Sequence, residues 1–162
     1  MLSLPPKNNG VGCEVRVLLA ECRSPSFSSY SLADATTCMQ LMDKVLWNRL
    51  DDPGPFGAKG ATTVADIVRA RGQFAGFETY PDYAQSIVTR IQAMLKLANS
   101  AKDKRHDLFT DHINAAIAVA TDPSIADPSA GALTGWRTAG SAAPGGSFRF
   151  FKTFFGNDFY FI

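Results

Sequence analysis

The sequence predicts a mainly α single domain of about five helices, followed by a loop-rich C-terminal part with a little β structure. Three observations predict it. Five stretches between Gly10 and Ala120 repeat apolar residues at helical spacing. After Thr121 the chain turns to Pro123, Pro128, Pro144 and six glycines up to Gly156, too many breakers for another helix. Seven of the 12 phenylalanines fall between Phe148 and Phe161, so the tail is too apolar to hang free and should dock back onto the helices.

Residues 1–9 carry two prolines and no apolar core and read as a flexible lead-in to one domain spanning 10–162. Val11, Val15, Leu18, Leu19 and Cys22 then form the apolar stripe of a first helix, which Pro25 and the surrounding serines interrupt. A second helix is expected from about Ser31 to Leu50. Its main stripe is Leu32, Ala35, Met39, Met42, Leu46 and Leu50, and Leu41 and Val45 add a second apolar side, which marks it as central. Asp51-Asp52-Pro53-Gly54-Pro55 stops it. Thr63 is a natural N-cap for a short helix to Arg71, with Val64, Ile67 and Val68 inward. The glycine-punctuated loop 71–77 follows. Pro81 suits the first turn of a fourth helix, whose stripe is Ala84, Ile87, Val88, Ile91, Met94, Leu95 and Ala98. Asp107 to Ala120 makes a fifth. A β-hairpin is expected between 133–137 and 148–151.

The 162-residue length suits one domain with its own core, and 46% apolar with 19% charged residues is an ordinary globular balance. A net charge of +1 argues against a general nucleic-acid binder, which needs a basic surplus to neutralise phosphates. No apolar run is long enough to span a bilayer. Cys13, Cys22 and Cys38 are odd in number, so at most one internal disulfide forms; three buried thiols or a Cys22–Cys38 bridge both fit. No CxxC spacing is present, and His106 and His112 have no ligand company, so neither a metal nor a cofactor is expected. No Ser/His/Asp order and no phosphate-binding glycine loop appears.

Glu21 is the leading candidate for chemistry. It falls in the last turn of the first helix, on the flank of the stripe near Leu18. A partly apolar setting disfavours a carboxylate, and so does the negative end of a helix dipole; both favour a protonated acid near neutral pH. A surface glutamate would satisfy the same spacing. An acid of this kind commonly works with a second carboxyl group. The second is not obvious: Glu78, after the glycine loop, is the first choice, with Asp34, Asp43 and Asp82 behind it. Gln73 could hydrogen-bond an N-acetyl group, while Phe74, Phe77 and Tyr80 could stack on sugars or serve as core. Asn48 suits a brace between loops, and Trp136-Arg137-Thr138 the floor of a cleft or a plain hairpin.

Several of these segments, taken in order, resemble the bacterial cell-wall hydrolases that include spore-cortex lytic enzymes. Leu18-Leu19-Ala20-Glu21-Cys22-Arg23 is similar to that family's helix ending in Ala-Glu-Ala-Arg, and Trp47-Asn48-Arg49 to the next helix, ending in Asn-Arg. Gln73-Phe74 resembles its Gln-Phe segment. The stretch from Asp127 to Leu133 resembles its Asp-Pro-Thr-x-Gly-Ala, and Gly156-Asn157-Asp158-Phe159-Tyr160 its closing Gly-x-His-x-Phe-Tyr. Ser24 to Ser29 stands where the family has a second Glu, Asp158 stands for its His, and the gap from Glu21 to Asn48 is longer.

The resemblance implies a lysozyme-like helical fold and cleavage of the peptidoglycan glycan strand, as a muramidase, an N-acetylglucosaminidase or a lytic transglycosylase. It makes Glu21 the acid that protonates the glycosidic oxygen. Gln73 and Phe74 would line the sugar groove and Tyr160 would close it. The substrate lies outside the cytoplasmic membrane while no signal peptide is visible at the start of the sequence. An antibacterial effector, injected without a signal by a secretion apparatus such as type VI and acting as a monomer in a target's periplasm, is therefore expected. It would be countered by a cognate immunity protein plugging the cleft. A phage endolysin and a non-catalytic peptidoglycan-binding module are the alternatives.

Overall fold

Asn9 opens the first helix, α1 (Gly10–Glu21), by accepting a hydrogen bond from the Gly12 amide on its side-chain oxygen. The structure, a computed structural model, describes residues 1–122, 124, 126–127, 129–130 and 133–162. Every residue of α1 from Gly12 to Ala20 is buried, so this helix, as well as the second, runs through the centre. Its two apolar faces divide the core. Val15, Leu18, Leu19 and Cys22 join one cluster with the second, fourth and fifth helices and the sheet. Cys13, Val17 and Ala20 join another with Leu46, the third helix, Phe74, Phe77 and Tyr80. Spacings of three and four residues within each set put each on one face.

Ser31 caps α2 (Leu32–Asp51). A 3₁₀ turn at Gly54–Phe56 follows, then α3 (Val64–Arg69), where Thr63 and Asp66 form a reciprocal capping box worth about 1 kcal/mol. The fourth helix, α4 (Gln85–Ala98), starts four residues later than Pro81 suggested, with Ala84 as its N-cap. The fifth, α5, covers His106–Thr121. The fold is thus mainly α with a small C-terminal sheet of three antiparallel strands, β1 (Leu133–Thr138), β2 (Arg149–Phe154) and β3 (Asn157–Phe161).

The sheet corrects the expected hairpin. β1 and β2 do not pair with each other; the last strand lies between them in the order β1-β3-β2. The apolar tail enters the sheet centre, with Phe159 fully buried and Tyr160 nearly so. Phe155 and Gly156 connect β2 to β3 as a two-residue turn with φ of 46° and 83°. Two successive positive φ values define the turn whose twist matches the flanking strands, which favours glycine at the second position. A register shift between Leu133 and Gly135 makes Thr134 a bulge against β3.

Residues 1–9, expected to be a loose lead-in, are fastened along the helices. Leu2 exchanges backbone bonds with the Asn99 side chain, and the Lys7 carbonyl accepts from the Tyr80 hydroxyl at 2.7 Å. Arg16, buried, donates to the Pro5 and Gly12 carbonyls at 2.9 and 2.6 Å. The strap lies so close that a Cβ on Gly12 would sit 1.9 Å from the Pro6 carbonyl oxygen, so only glycine fits there.

Candidate functional site

Glu21 is the last residue of α1, and its carbonyl neighbours need partners because helix-terminal C=O groups have none within the helix. Arg90 from α4 supplies them, donating to the Ala20 carbonyl at 2.6 Å and the Cys22 carbonyl at 3.0 Å. This clamp holds the turn that bears Glu21. The Glu21 side chain lines a cleft of about 310 Å³ together with Arg49, Gln73, Phe74, Trp136, Arg137, Thr138 and Ser141. The walls therefore come from the ends of α1 and α2, the glycine loop after α3, and β1 with the turn beyond it.

The Trp136 indole N–H donates to Glu21 Oε2 at 3.3 Å. Burial raises the carboxyl's pKa, and this outweighs the indole bond and the Arg90 charge, both of which lower it. The indole can only donate, so Oε2 is an acceptor. When the group is protonated, the proton belongs on Oε1, which has no protein partner among the described residues. Half-buried and inclined to stay protonated, Glu21 has the physical character of a general acid.

Arg49 organises the opposite wall. It is 6% exposed, its Nε donates to the Thr134 carbonyl at 2.6 Å, and its Nη1 donates to Gln73 Oε1 at 3.0 Å. The bulge at Thr134 aims that carbonyl at the guanidinium. The rings of Phe56 and Phe74 lie 4.6 and 5.2 Å from the guanidinium carbon, and burial lowers its pKa to about 10, still charged at neutral pH. Among the described residues no carboxylate pairs with it. Because Arg49 occupies Gln73 Oε1, the Gln73 amide is left with its Nε2 hydrogens to offer; Gln73 is a donor toward the cleft. Asn48, one residue before, braces the start of β1 by donating to the Leu133 carbonyl at 2.8 Å and to Asp127 at 3.1 Å.

Of the six residues proposed from sequence, Glu21, Gln73 and Phe74 meet in this cleft. Phe74 is 5% exposed and supports Trp136, whose ring centroid is 5.3 Å away, so the half-buried Trp136 presents the larger aromatic surface. The other three lie elsewhere. Glu78 is exposed and outside the cleft lining; its Oε2 accepts from the Gly76 amide at 2.8 Å and shapes its own loop. Phe77 is fully buried and stacks on Tyr83 at 5.5 Å. Tyr160 is 4% exposed in β3, edge-on to Phe148 and Phe150, and does not line the cleft. Asp158 accepts from the Gly140 amide. Of the segment 127–133, residues 128, 131 and 132 lie outside the described residues.

The roles of Arg90 and Arg49 were missed in sequence because each acts through distant backbone. The signal for Arg49 was its place, next to Asn48, at the end of the central helix. Glu14 was missed altogether. It is 1% exposed beside Asp43, and burial first, then the hydrogen bond to Asp43, raises its pKa to about 10. His112 is fully buried, bonded at Nδ1 to the Tyr30 hydroxyl at 3.1 Å, with its pKa lowered to about 4 by burial. Among the described residues, no cluster of three or more His, Cys, Asp or Glu side chains could hold a metal ion, and no helix is long and apolar enough to cross a membrane. No protein-family model, curated protein or solved structure matches the chain.

Proposed function

We propose that this protein is a peptidoglycan glycoside hydrolase that cuts the glycan strand with Glu21 as general acid. One observation carries the proposal: a carboxyl inclined to protonation, fixed by an indole donor, stands in a cleft wall with an aromatic face and a directed amide donor. Those are the parts that sugar cleavage asks of a protein. Trp136 offers a surface for a pyranose face, and Gln73 Nε2 offers a hydrogen bond to an N-acetyl carbonyl oxygen. Arg49 and Arg137 complement the carboxylates of a peptide-bearing glycan.

The chemistry begins with the Glu21 Oε1 proton. It passes to the glycosidic oxygen as the anomeric C–O bond breaks, leaving an oxocarbenium-like centre and the Glu21 carboxylate. That carboxylate then removes a proton from the incoming hydroxyl, which closes the cycle. Water as nucleophile makes this a hydrolase; the sugar's own O6 makes it a lytic transglycosylase. Glu21 is the sole carboxylate among the described residues lining the cleft, which suits a nucleophile that the substrate supplies.

The same observation favours one second reading, a lysozyme-like module that holds glycan without cutting it. Digestion of purified sacculi by wild type and Glu21→Gln, with products read by mass spectrometry, separates the two. Release of fragments by wild type, and a loss of ~10²–10⁴-fold in the variant, is the expected result. Binding by both proteins without release would replace the enzyme with the module. We further place the activity in the periplasm of a target bacterium, delivered as an antibacterial effector and restrained by a cognate immunity protein over the cleft. Toxicity on periplasmic expression, abolished by Glu21→Gln, tests that assignment.

A further inference from the structure

Arg49 is a cation that the fold buries without an anion. It is 6% exposed, and among the described residues no carboxylate pairs with it. The rings of Phe56 and Phe74, 4.6 and 5.2 Å from its guanidinium carbon, offset part of the lost hydration. Two of its nitrogens are committed: Nε donates to the Thr134 carbonyl and Nη1 to Gln73 Oε1. Nη2 has no hydrogen-bond partner among the described residues, yet it is not sealed from solvent. It borders Gly135, where a Cβ would lie 3.5 Å away, so the missing side chain leaves that flank uncovered. Arg49 therefore lines the cleft with a largely desolvated charge and one nitrogen whose hydrogens are unspent. A buried charge in that condition favours an incoming anion, which supplies both the missing counter-charge and the missing acceptor.

The neighbouring donor narrows the choice of anion. Arg49 holds Gln73 Oε1 at 3.0 Å, which leaves the Gln73 Nε2 hydrogens for an N-acetyl carbonyl oxygen. In N-acetylmuramic acid the N-acetyl group and the lactyl ether stand on adjacent ring carbons. A pyranose that lies on Trp136 and gives its N-acetyl oxygen to Gln73 thus brings its lactyl group toward the next donor, Arg49. Arg137 also lines the cleft, but it is exposed and already donates to the Ala142 carbonyl, so an anion there gains little.

We propose that Arg49 Nη2 is a subsite for the free lactyl carboxylate of an N-acetylmuramic acid residue, so that the cleft prefers glycan whose stem peptides are already gone. The proposal rests on the reading of the cleft as a glycan site and names the substrate within that class. In a strand that still bears its peptides the lactyl carbonyl is part of an amide. It carries no charge and cannot neutralise a buried guanidinium. The free carboxylate arises only when water has cleaved that amide, leaving the acid on the sugar and the amine on the peptide. The class of reaction that supplies this substrate is therefore an amide hydrolysis, upstream of the glycan cut.

Indole NMR of the full chain tests it without any cleavage. Trp47 is half-exposed and outside this cleft, so Trp47→Phe leaves Trp136 as the sole indole, whose N–H signal reports occupancy. The probes are N-acetylmuramic acid, its methyl ester and N-acetylglucosamine. The acid should bind roughly 10–100-fold more tightly than the ester, as a hydrogen bond to a charged partner warrants, and the ester should match N-acetylglucosamine. Arg49→Gln should bring acid and ester to parity. A purely structural loss would weaken both and leave their ratio alone. Arg137→Gln should keep the preference. If Arg49→Gln does not fold, the acid-to-ester ratio of the protein with Arg49 intact decides the matter by itself. Equal affinity for acid and ester would overturn the subsite and leave the glycan reading standing. A preference lost with Arg137→Gln instead would overturn it by moving the anion to the rim. No response to any of the three sugars would overturn the subsite and the glycan reading together.

Discussion

Trp136→Phe isolates the hydrogen bond that tunes the cleft acid. The indole N–H reaches Glu21 Oε2 at 3.3 Å and favours the carboxylate, against the burial that raises the pKa. Phenylalanine keeps an aromatic ring beside Phe74, 5.3 Å from the present indole, and removes the donor together with the indole's second ring. Net, a hydrogen bond to a charged acceptor contributes about 1.5–3 kcal/mol. At 3.3 Å this one is long and half-exposed, so about 1 kcal/mol is a fair value, roughly a fivefold change in the ionisation equilibrium. The sign is upward: the variant holds its proton to higher pH. Carbon-detected titration of the glutamate carboxyls, with Glu21→Gln to assign the signal, reads the midpoint directly and needs no substrate. The alkaline limb of sacculus digestion should move by the same amount. A midpoint that stays put or falls would mean that the indole does not bond the carboxylate, and the placement of the proton on Oε1 would fail with it.

Other expectations follow from the same geometry. Glu14 binds its proton to about pH 10 when folded but only to about 4.5 when unfolded, so its own contribution to stability is greatest below pH 4.5 and is lost as pH rises toward 10. At pH 7 that deficit is about 3 kcal/mol. Glu14→Gln, which keeps a donor toward Asp43, should recover much of it and flatten the Tm-versus-pH curve; an unchanged curve would refute the assignment. Arg49→Lys keeps the charge but cannot serve Thr134 and Gln73 together, so a loss of about 1–3 kcal/mol in denaturant unfolding is expected, with a raised KM from the freed Gln73. Gly12→Ala forces a methyl into the Pro6 carbonyl and should cost about 1–3 kcal/mol while opening residues 1–9 to proteolysis; intact resistance would show that the strap tolerates displacement.

Local chemistry was readable in advance where it depends on neighbours in sequence. The apolar period placed five helices to within a few residues, and Thr63 declared itself as a cap because capping is decided three residues away. The turn carrying Glu21 and the Gln73-Phe74 loop were visible for the same reason, whereas the partners that Asn48 braces lie 79 and 85 residues on. Side-chain destinations were not. Glu78 and Glu21 look alike as sequence, yet one bonds its own loop and the other meets an indole 115 residues away. Phe77 and Phe74 differ only in which way a glycine-rich loop turns them. Glu14 escaped notice because helical periodicity does not reveal a helix surrounded on all sides.

By itself, the sequence determined the helix count, the breaks between helices and the position of one acid at a helix terminus. These follow from spacings of three and four residues, a range over which backbone geometry leaves little freedom. The tertiary structure alone decided that the tail strand enters the middle of the sheet, that the lead-in becomes a strap, and that Arg49 orients Gln73 while Trp136 selects an oxygen of Glu21. Those outcomes depend on contacts between residues far apart in the chain, which form only when the whole core is packed at once.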